Sequence, residues 1–458
     1  MSGPSSASDD ILENVQDLKA WMEAGAKPKA DWLIGTEHEK FGFNRNTLRP
    51  LAYGGENGIE AMLRGLTRFD WEPVFEDGYL IALQRDADKG GGSVTLEPGG
   101  QLELSGAPLA SIHQTCSEVS GHLREVRTVA DELGQGYLGL GFAPDWTLAD
   151  MPHMPKGRYQ LMRDYMPTRG SRGLDMMYLS CTVQVNLDFA SERDMVSKLR
   201  LSLALQPLAT ALFANSPFKN GAITGDLSER SLIWLDTDSH RTGMLPFAFD
   251  EGFGFDQYVD YALDVPMYFV IRDGKYINAM GLSFRDFLDG RLSVLPGEKP
   301  TAKDWENHLT TLFPEARVKR FIEMRGADSG VWQSLCALPA FWVGLLYDEV
   351  VMAKALDLIS DWTAEEMAEL RSRVPHFGLK TPFRDGTLHD VAQKVIALSE
   401  QGLGARALSD GVGGDERAFL APVKKTIEEN KTPAERLVER YNSVWGGNIK
   451  NVFSENAF

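Results

Sequence analysis

The chain has 458 residues and a net charge of −18, with apolar and charged fractions ordinary for a soluble globular protein. The acid excess and the lack of a long Lys/Arg run exclude a nucleic-acid surface, which needs clustered cations. No apolar run reaches the roughly 18–20 residues of a membrane helix, and three cysteines with no CxxC pair read as a chain of the reducing cytoplasm.

Residues 1–10 are polar and acidic and read as a disordered tail with no secretory leader. The Ser/Asp cluster before Ile11 reads as the cap of a first helix. Strand patterns follow at 33–43, 79–84, 93–104, 137–142 and 179–189, with helical patterns near 57–68 and 111–133 between them. Helical patterns then dominate, near 192–214, 256–263, 340–357, 363–373, 387–400 and 432–441, with strands at 265–272 and 318–328. No repeat or linker divides residues 11–458, which read as one catalytic domain with a helix-rich C-terminal third. The connections are not those of a parallel sheet, so the expected class is α+β on a largely antiparallel sheet.

Several familiar motifs fail on context. GQGYLG (134–139) matches a dinucleotide fingerprint but follows a helix and precedes a strand, so it reads as a helix stop. No P-loop, zinc spacing or GxSxG elbow is present. The informative pattern is carboxylates on strands. In IGTEHEKFGF (34–43), Glu37 and Glu39 share a face with Phe41 and Phe43, opposite Thr36, His38 and Lys40. In SVTLEPGGQLELSGAP, read as one strand bent at Pro98-Gly99-Gly100, Glu97, Gln101 and Glu103 share a face. In SCTVQVNLDF, Gln184, Asn186 and Asp188 lie opposite Val183, Val185 and Leu187. In RFIEMRGAD, Glu323 and Arg325 lie opposite Ile322 and Met324.

Side chains at i and i+2 of a strand sit roughly 6.5 Å apart, close enough for two carboxylates to share a cation. Without one, they repel and their pKa values rise. Oxygen donors alone favour Mg²⁺ or Mn²⁺ over zinc. Magnesium favours phosphate oxygens, which points to a nucleoside triphosphate, with Arg325 placed for bidentate contact to phosphate. Each strand alone also reads as a solvated sheet face or an ordinary surface ion pair.

These strings, with DTDSHRTGMLPF, HLTTLFPEARVKRFIEMRGAD and LCALPAFWVGLLYD, resemble the plant-type glutamate–cysteine ligases, a group that includes many proteobacterial enzymes. The resemblance runs from about residue 10 to the C-terminus. It implies ATP-dependent ligation of the L-glutamate γ-carboxylate to the L-cysteine amine, the first step of glutathione synthesis, on a glutamine synthetase-like fold. It implies two or three magnesium ions with Glu37, Glu39, Glu97, Glu103 and Glu323 as ligands. Gln184 would stand where related bacterial enzymes place a histidine ligand. Arg325 would hold the transferred phosphate, and Arg241, in SHRTG, would be a second basic contact for phosphate or substrate. Cys116 and Cys336 lie where plant enzymes carry a regulatory disulfide; two buried thiols is the other reading. The partners expected are glutamate, cysteine and ATP, for a monomer or homodimer with no nucleic acid and no membrane. A γ-glutamyl ligase with another amine acceptor and a Mg²⁺-dependent phosphohydrolase remain open alternatives, as does DKGGGS (88–93) as a lid or a plain hairpin turn.

Overall fold

A computed structural model of the protein describes residues 7–411 and 413–458. Among the described residues, nine strands form one sheet. They are β1 (Ile34–Asn44), β2 (Glu72–Glu76), β3 (Tyr79–Gln84), β4 (Ser93–Leu96), β5 (Leu102–Ser105), β6 (Gln135–Leu138), β7 (Thr182–Leu187), β8 (Ala316–Val318) and β9 (Ile322–Asp328). The order is β8-β9-β7-β1-β5-β4-β3-β2, with β6 on the far end of β1. Every pairing in it is antiparallel, as expected for α+β. β1 is the hub, paired with β5 and β7 over its first half and with β6 over its second.

Three boundaries differ from the sequence reading. The segment 93–104 is two strands joined by a tight turn. Gly100 sits at φ +80 and donates to Glu97 O at 2.8 Å, so the chain reverses where a bend was expected. The pattern over 340–357 is two helices that meet at about 90°. The first helix, α1 (Val15–Glu23), starts four residues after Ile11 and is capped by Asn14, whose side chain accepts from Gln16 N and forms a capping box with Asp17. Of the expected tail, residues 1–6 lie outside the described residues. Ser8 and Asp10 are held in place, accepting from Lys303 N at 3.2 Å and Ala302 N at 2.9 Å.

The rear of the sheet is covered by helices whose apolar spacing fits it. α2 (Ile112–Leu133) is capped by Ser111 and stopped by Gly134 in the left-handed region, the role expected for the GQGYLG glycine. α3 (Glu192–Leu212) is buried nearly all round from Leu199 onward. α4 (Trp332–Leu346) crosses α5 (Leu388–Arg406) at Gly344 and Gly402, where a Cβ on Gly402 would meet Gly344 O at 1.8 Å. Val183, Val185, Leu187, Ile322 and Met324 pack into the apolar cluster beneath β7 and β9. Val94, Leu96, Leu102 and Leu104 pack into a second cluster with Val126 and Val129 of α2. The polar rear face of β1 lies between them, with Thr36, His38 and Lys40 buried and Lys40 Nζ donating to Leu102 O at 3.1 Å. Cys116 of α2 and Cys336 of α4 are disulfide-bonded, while Cys181 is a free, buried thiol. No single helix among the described residues is long and apolar enough to cross a membrane.

Candidate active site

The front face of the sheet carries the acids. Glu37 lies opposite Ser105 on β5 and Gln184 on β7, and Glu39 lies opposite Glu103. The turn after β4 returns Glu97 to the same side. A cavity of about 100 Å³ opens over this face, and Glu37, Glu39, Glu97, Glu103, Gln184 and Arg325 all line it. The strand alternation thus brings together six of the expected site residues from four stretches of chain. Phe41 and Phe43 continue the face but turn into the core, against Trp146 and Phe453.

Neutral donors orient the acids. Asn186 Nδ2 donates to Glu37 Oε1 at 2.9 Å, Thr182 N to Glu39 Oε2 at 3.0 Å, and Thr95 Oγ1 to Glu103 Oε2 at 2.6 Å. Tyr159 OH lies 3.3 Å from Glu97 Oε1. Burial, reinforced by Glu97 and Glu103, pushes the Glu39 carboxyl well above the usual carboxylate range. Arg230 and the Thr182 N–H offset only part of this, and an all-oxygen donor set suits a hard divalent ion. Among the described residues no three such groups converge as a closed cage. An ion here would complete its shell with water and substrate oxygens, which is how magnesium usually binds.

Glu323 has a different environment. Its carboxylate accepts from Arg317 Nη2 at 2.7 and 2.8 Å, lies 3.1 Å from Lys319 Nζ, and ion-pairs with Arg325. Burial alone raises its pKa, but the three cations override this and hold it well below the usual range. It gathers cations at the cavity's edge. Arg325 also donates to Gln184 Oε1 at 2.7 Å.

Arg241 is not at this site. It is fully buried, pairs with Asp238 at 2.7 Å, and donates to the carbonyls of Thr311 at 3.0 Å and Pro266 at 2.7 Å. Its ring neighbour is Tyr268, 3.8 Å away. With its donors committed, it braces the segment whose Phe313 lines the cavity, and Phe313 N donates to Arg241 O at 2.7 Å. The SHRTG string carries a charge that serves the scaffold.

Sequence reasoning missed Arg158, Arg230 and Arg317, which line the same cavity. Arg317 and Lys319 had a readable signal, two basic residues two positions apart just before RFIEMRGAD. Arg158 and Arg230 had none, since each belongs to a short helical segment brought over the sheet by the fold. Met176, Met177 and Trp234 supply an apolar wall.

The antiparallel sheet with its carboxylate-lined front face has the fold of the glutamine synthetase-like carboxylate–amine ligases. The fold is shared with the crystal structure of glutamate–cysteine ligase from Francisella tularensis in complex with AMP, at TM-score 0.53 and 13% identity over 93% of this chain and 87% of that one. The chain belongs to glutamate–cysteine ligase family 2, whose model matches residues 33–455. It is 58% identical to the chloroplastic glutamate–cysteine ligase of Nicotiana tabacum over 441 residues, 96% of this chain and 82% of that one. It is 57% identical to the chloroplastic glutamate–cysteine ligase B of Oryza sativa subsp. japonica, over 96% of this chain and 86% of that one. The family is one of ATP-dependent ligases that use a divalent metal. These relatives correct the cytoplasmic expectation: they are named chloroplastic enzymes, and a count of cysteines does not report a compartment.

Proposed function

We propose that this chain joins the γ-carboxylate of L-glutamate to the amine of L-cysteine with ATP, the first step of glutathione synthesis. The carrying observation is that Glu37, Glu39, Glu97, Glu103, Gln184 and Arg325 share one cavity wall. The named activity of relatives at 57–58% identity supports the same reading. Glu37, Glu39, Glu97 and Glu103, with Gln184 beside them, would hold two or three magnesium ions. When bound, magnesium neutralises the phosphate oxygens of ATP. Glu323 would join the set if Arg317, Lys319 and Arg325, which hold its carboxylate, turned from it towards phosphate.

A carboxylate is a poor electrophile and must be activated. The γ-carboxylate of glutamate attacks the γ-phosphorus of ATP in line, ADP leaves, and γ-glutamyl phosphate forms. Arg325 meets the charge that develops on the phosphoryl oxygens. The cysteine amine then attacks the acyl carbon and expels phosphate. The acyl phosphate must meet the amine before water, and the apolar side chains of Met176, Met177 and Trp234 on the cavity wall would favour this.

The test is to incubate the protein with ATP, Mg²⁺ and glutamate, with and without cysteine, and to follow ADP and γ-glutamylcysteine by mass spectrometry. ADP and dipeptide rising together only with cysteine is the expected result. A better amine than cysteine would make it a different γ-glutamyl ligase, and ADP release without glutamate would make it a phosphohydrolase.

A further inference from the structure

Gln101 lies on the carboxylate face and has no place in the proposed donor set. It ends the turn between β4 and β5, between Glu97 and Glu103, and is 2% exposed. The backbone closes that turn: Glu97 N donates to Gln101 O at 2.9 Å and Gly100 N to Glu97 O at 2.8 Å. A shift of Gln101 therefore shifts both acids.

The side-chain amide of Gln101 reaches across a seam. Its Oε1 accepts from Gly99 N at 2.9 Å, and its Nε2 donates to Met177 O at 3.2 Å and Ser180 O at 3.0 Å. An amide has two N–H donors and both are used, so its partners fix its orientation. Met177 lies in the last turn of the helix Gly173–Leu179, and Ser180 caps that helix. The final carbonyls of a helix have no donor from within it. Ser180 Oγ donates to Met176 O at 2.7 Å and Ala143 N to Leu179 O at 2.9 Å, while Met177 O depends on Gln101, 76 positions away in sequence. The hairpin also touches the helix end by backbone alone, since a Cβ on Gly99 would meet Tyr178 O at 2.7 Å.

Both sides of the seam line the catalytic cavity. The hairpin brings Glu97 and Glu103, the helix brings Met176 and Met177, and Gln101 and Ser180 stand on the seam itself. We propose that Gln101 is a positioning residue that closes the seam between the carboxylate hairpin and the apolar wall, and so keeps water from the acyl phosphate. The proposal rests on the ligase reading above and adds what couples its two half-reactions. In the coupled path the cysteine nitrogen bonds to the acyl carbon as the bond to the phosphate oxygen breaks. In the uncoupled path a water oxygen makes that bond instead, its protons pass to phosphate and solvent, and glutamate returns with ATP consumed.

The experiment measures γ-glutamylcysteine formed per ADP by mass spectrometry, with ATP, Mg²⁺, glutamate and cysteine, for wild type, Gln101→Glu, Gln101→Met and Gly99→Ala. The glutamate variant keeps the acceptor for Gly99 N and loses both donors, and the methionine variant keeps the length and loses all three bonds. Gly99→Ala leaves the amide intact and wedges the seam from the other side. The wild-type ratio is expected to be about one, and each variant is expected to lower it at least about threefold as water competes with the amine. A loss of fold lowers ADP and dipeptide together, so a purely structural role does not move the ratio. A coupled wild type with all three variants equally coupled, or losing both products in step, overturns the role of Gln101 and leaves the ligase intact. A wild type that makes no dipeptide sinks both.

Discussion

Arg325 and Arg241 are both arginines in strings of the ligase family, and the fold gives them opposite fates. Arg325 lines the cavity, while Arg241 is sealed against Asp238. If Arg325 meets phosphate as proposed, Arg325→Lys is expected to lower kcat/KM by about a hundredfold, since an ammonium cannot reproduce its planar fork. Arg241→Ala is expected to strand a buried Asp238 carboxylate and to destabilise the fold by about 3–5 kcal/mol, read by urea unfolding. Among the acids, Glu39→Gln keeps shape and removes charge. It should weaken Mg²⁺ dependence, so that the metal concentration for half-maximal rate rises at least about tenfold. The acids were legible because period-2 alternation fixes a face within a strand. What alternation does not carry is the company across strands: the three cations around Glu323 come from β8, β9 and the turn between them.

At the scale of elements, the hairpin of β4 and β5 was read as one bent strand for a physical reason. The turn through Pro98-Gly99-Gly100 preserves side-chain phase, so Glu97, Gln101 and Glu103 keep one face whether the chain bends or reverses. The face was legible and the topology was not. The α4 boundary failed differently: the helix that follows, starting at Glu349, is apolar as well, and only the Asp348 cap marks the break. The Cys116–Cys336 bond clamps α2 to α4 across 220 residues of sequence. Reducing it, or making Cys336→Ser, is expected to lower stability by about 2–5 kcal/mol, read as a lower melting temperature in dithiothreitol for the wild type and no reductant effect in the variant.

For the whole molecule, acid sensitivity follows from buried histidines. Burial holds His38 and His122 well below the ordinary histidine range and brings His308 down to about 4. His308 has its Nε2 on Ala262 O at 2.7 Å and its ring against Phe284. The folded state resists protonation there while the unfolded chain accepts it near pH 6.5, so stability is lost as pH falls from about 6.5 towards 4. Glu118, raised to about 7 mainly by burial, acts in the opposite sense, because its folded form favours the proton. Comparing wild type with His308→Phe by urea unfolding at pH 7 and pH 5 isolates one site. The stability lost between these pH values should be about 2 kcal/mol smaller in the variant.

The registry of β1 has a consequence for synthesis. Glu39 accepts its backbone hydrogen bond from a residue 143 positions away, and Glu37 accepts its amide from one 149 away. Glu323 and Arg325 arrive later still. A ribosome that has released the first hundred or so residues has produced acids and few of the groups that organise them. Pairings this distant in sequence form slowly, and the acids' mutual repulsion opposes early collapse of that face. The cavity wall is complete only once β9 stands beside β7, and an arrested chain ending before Arg325 carries the acids of that wall without the arginine of β9.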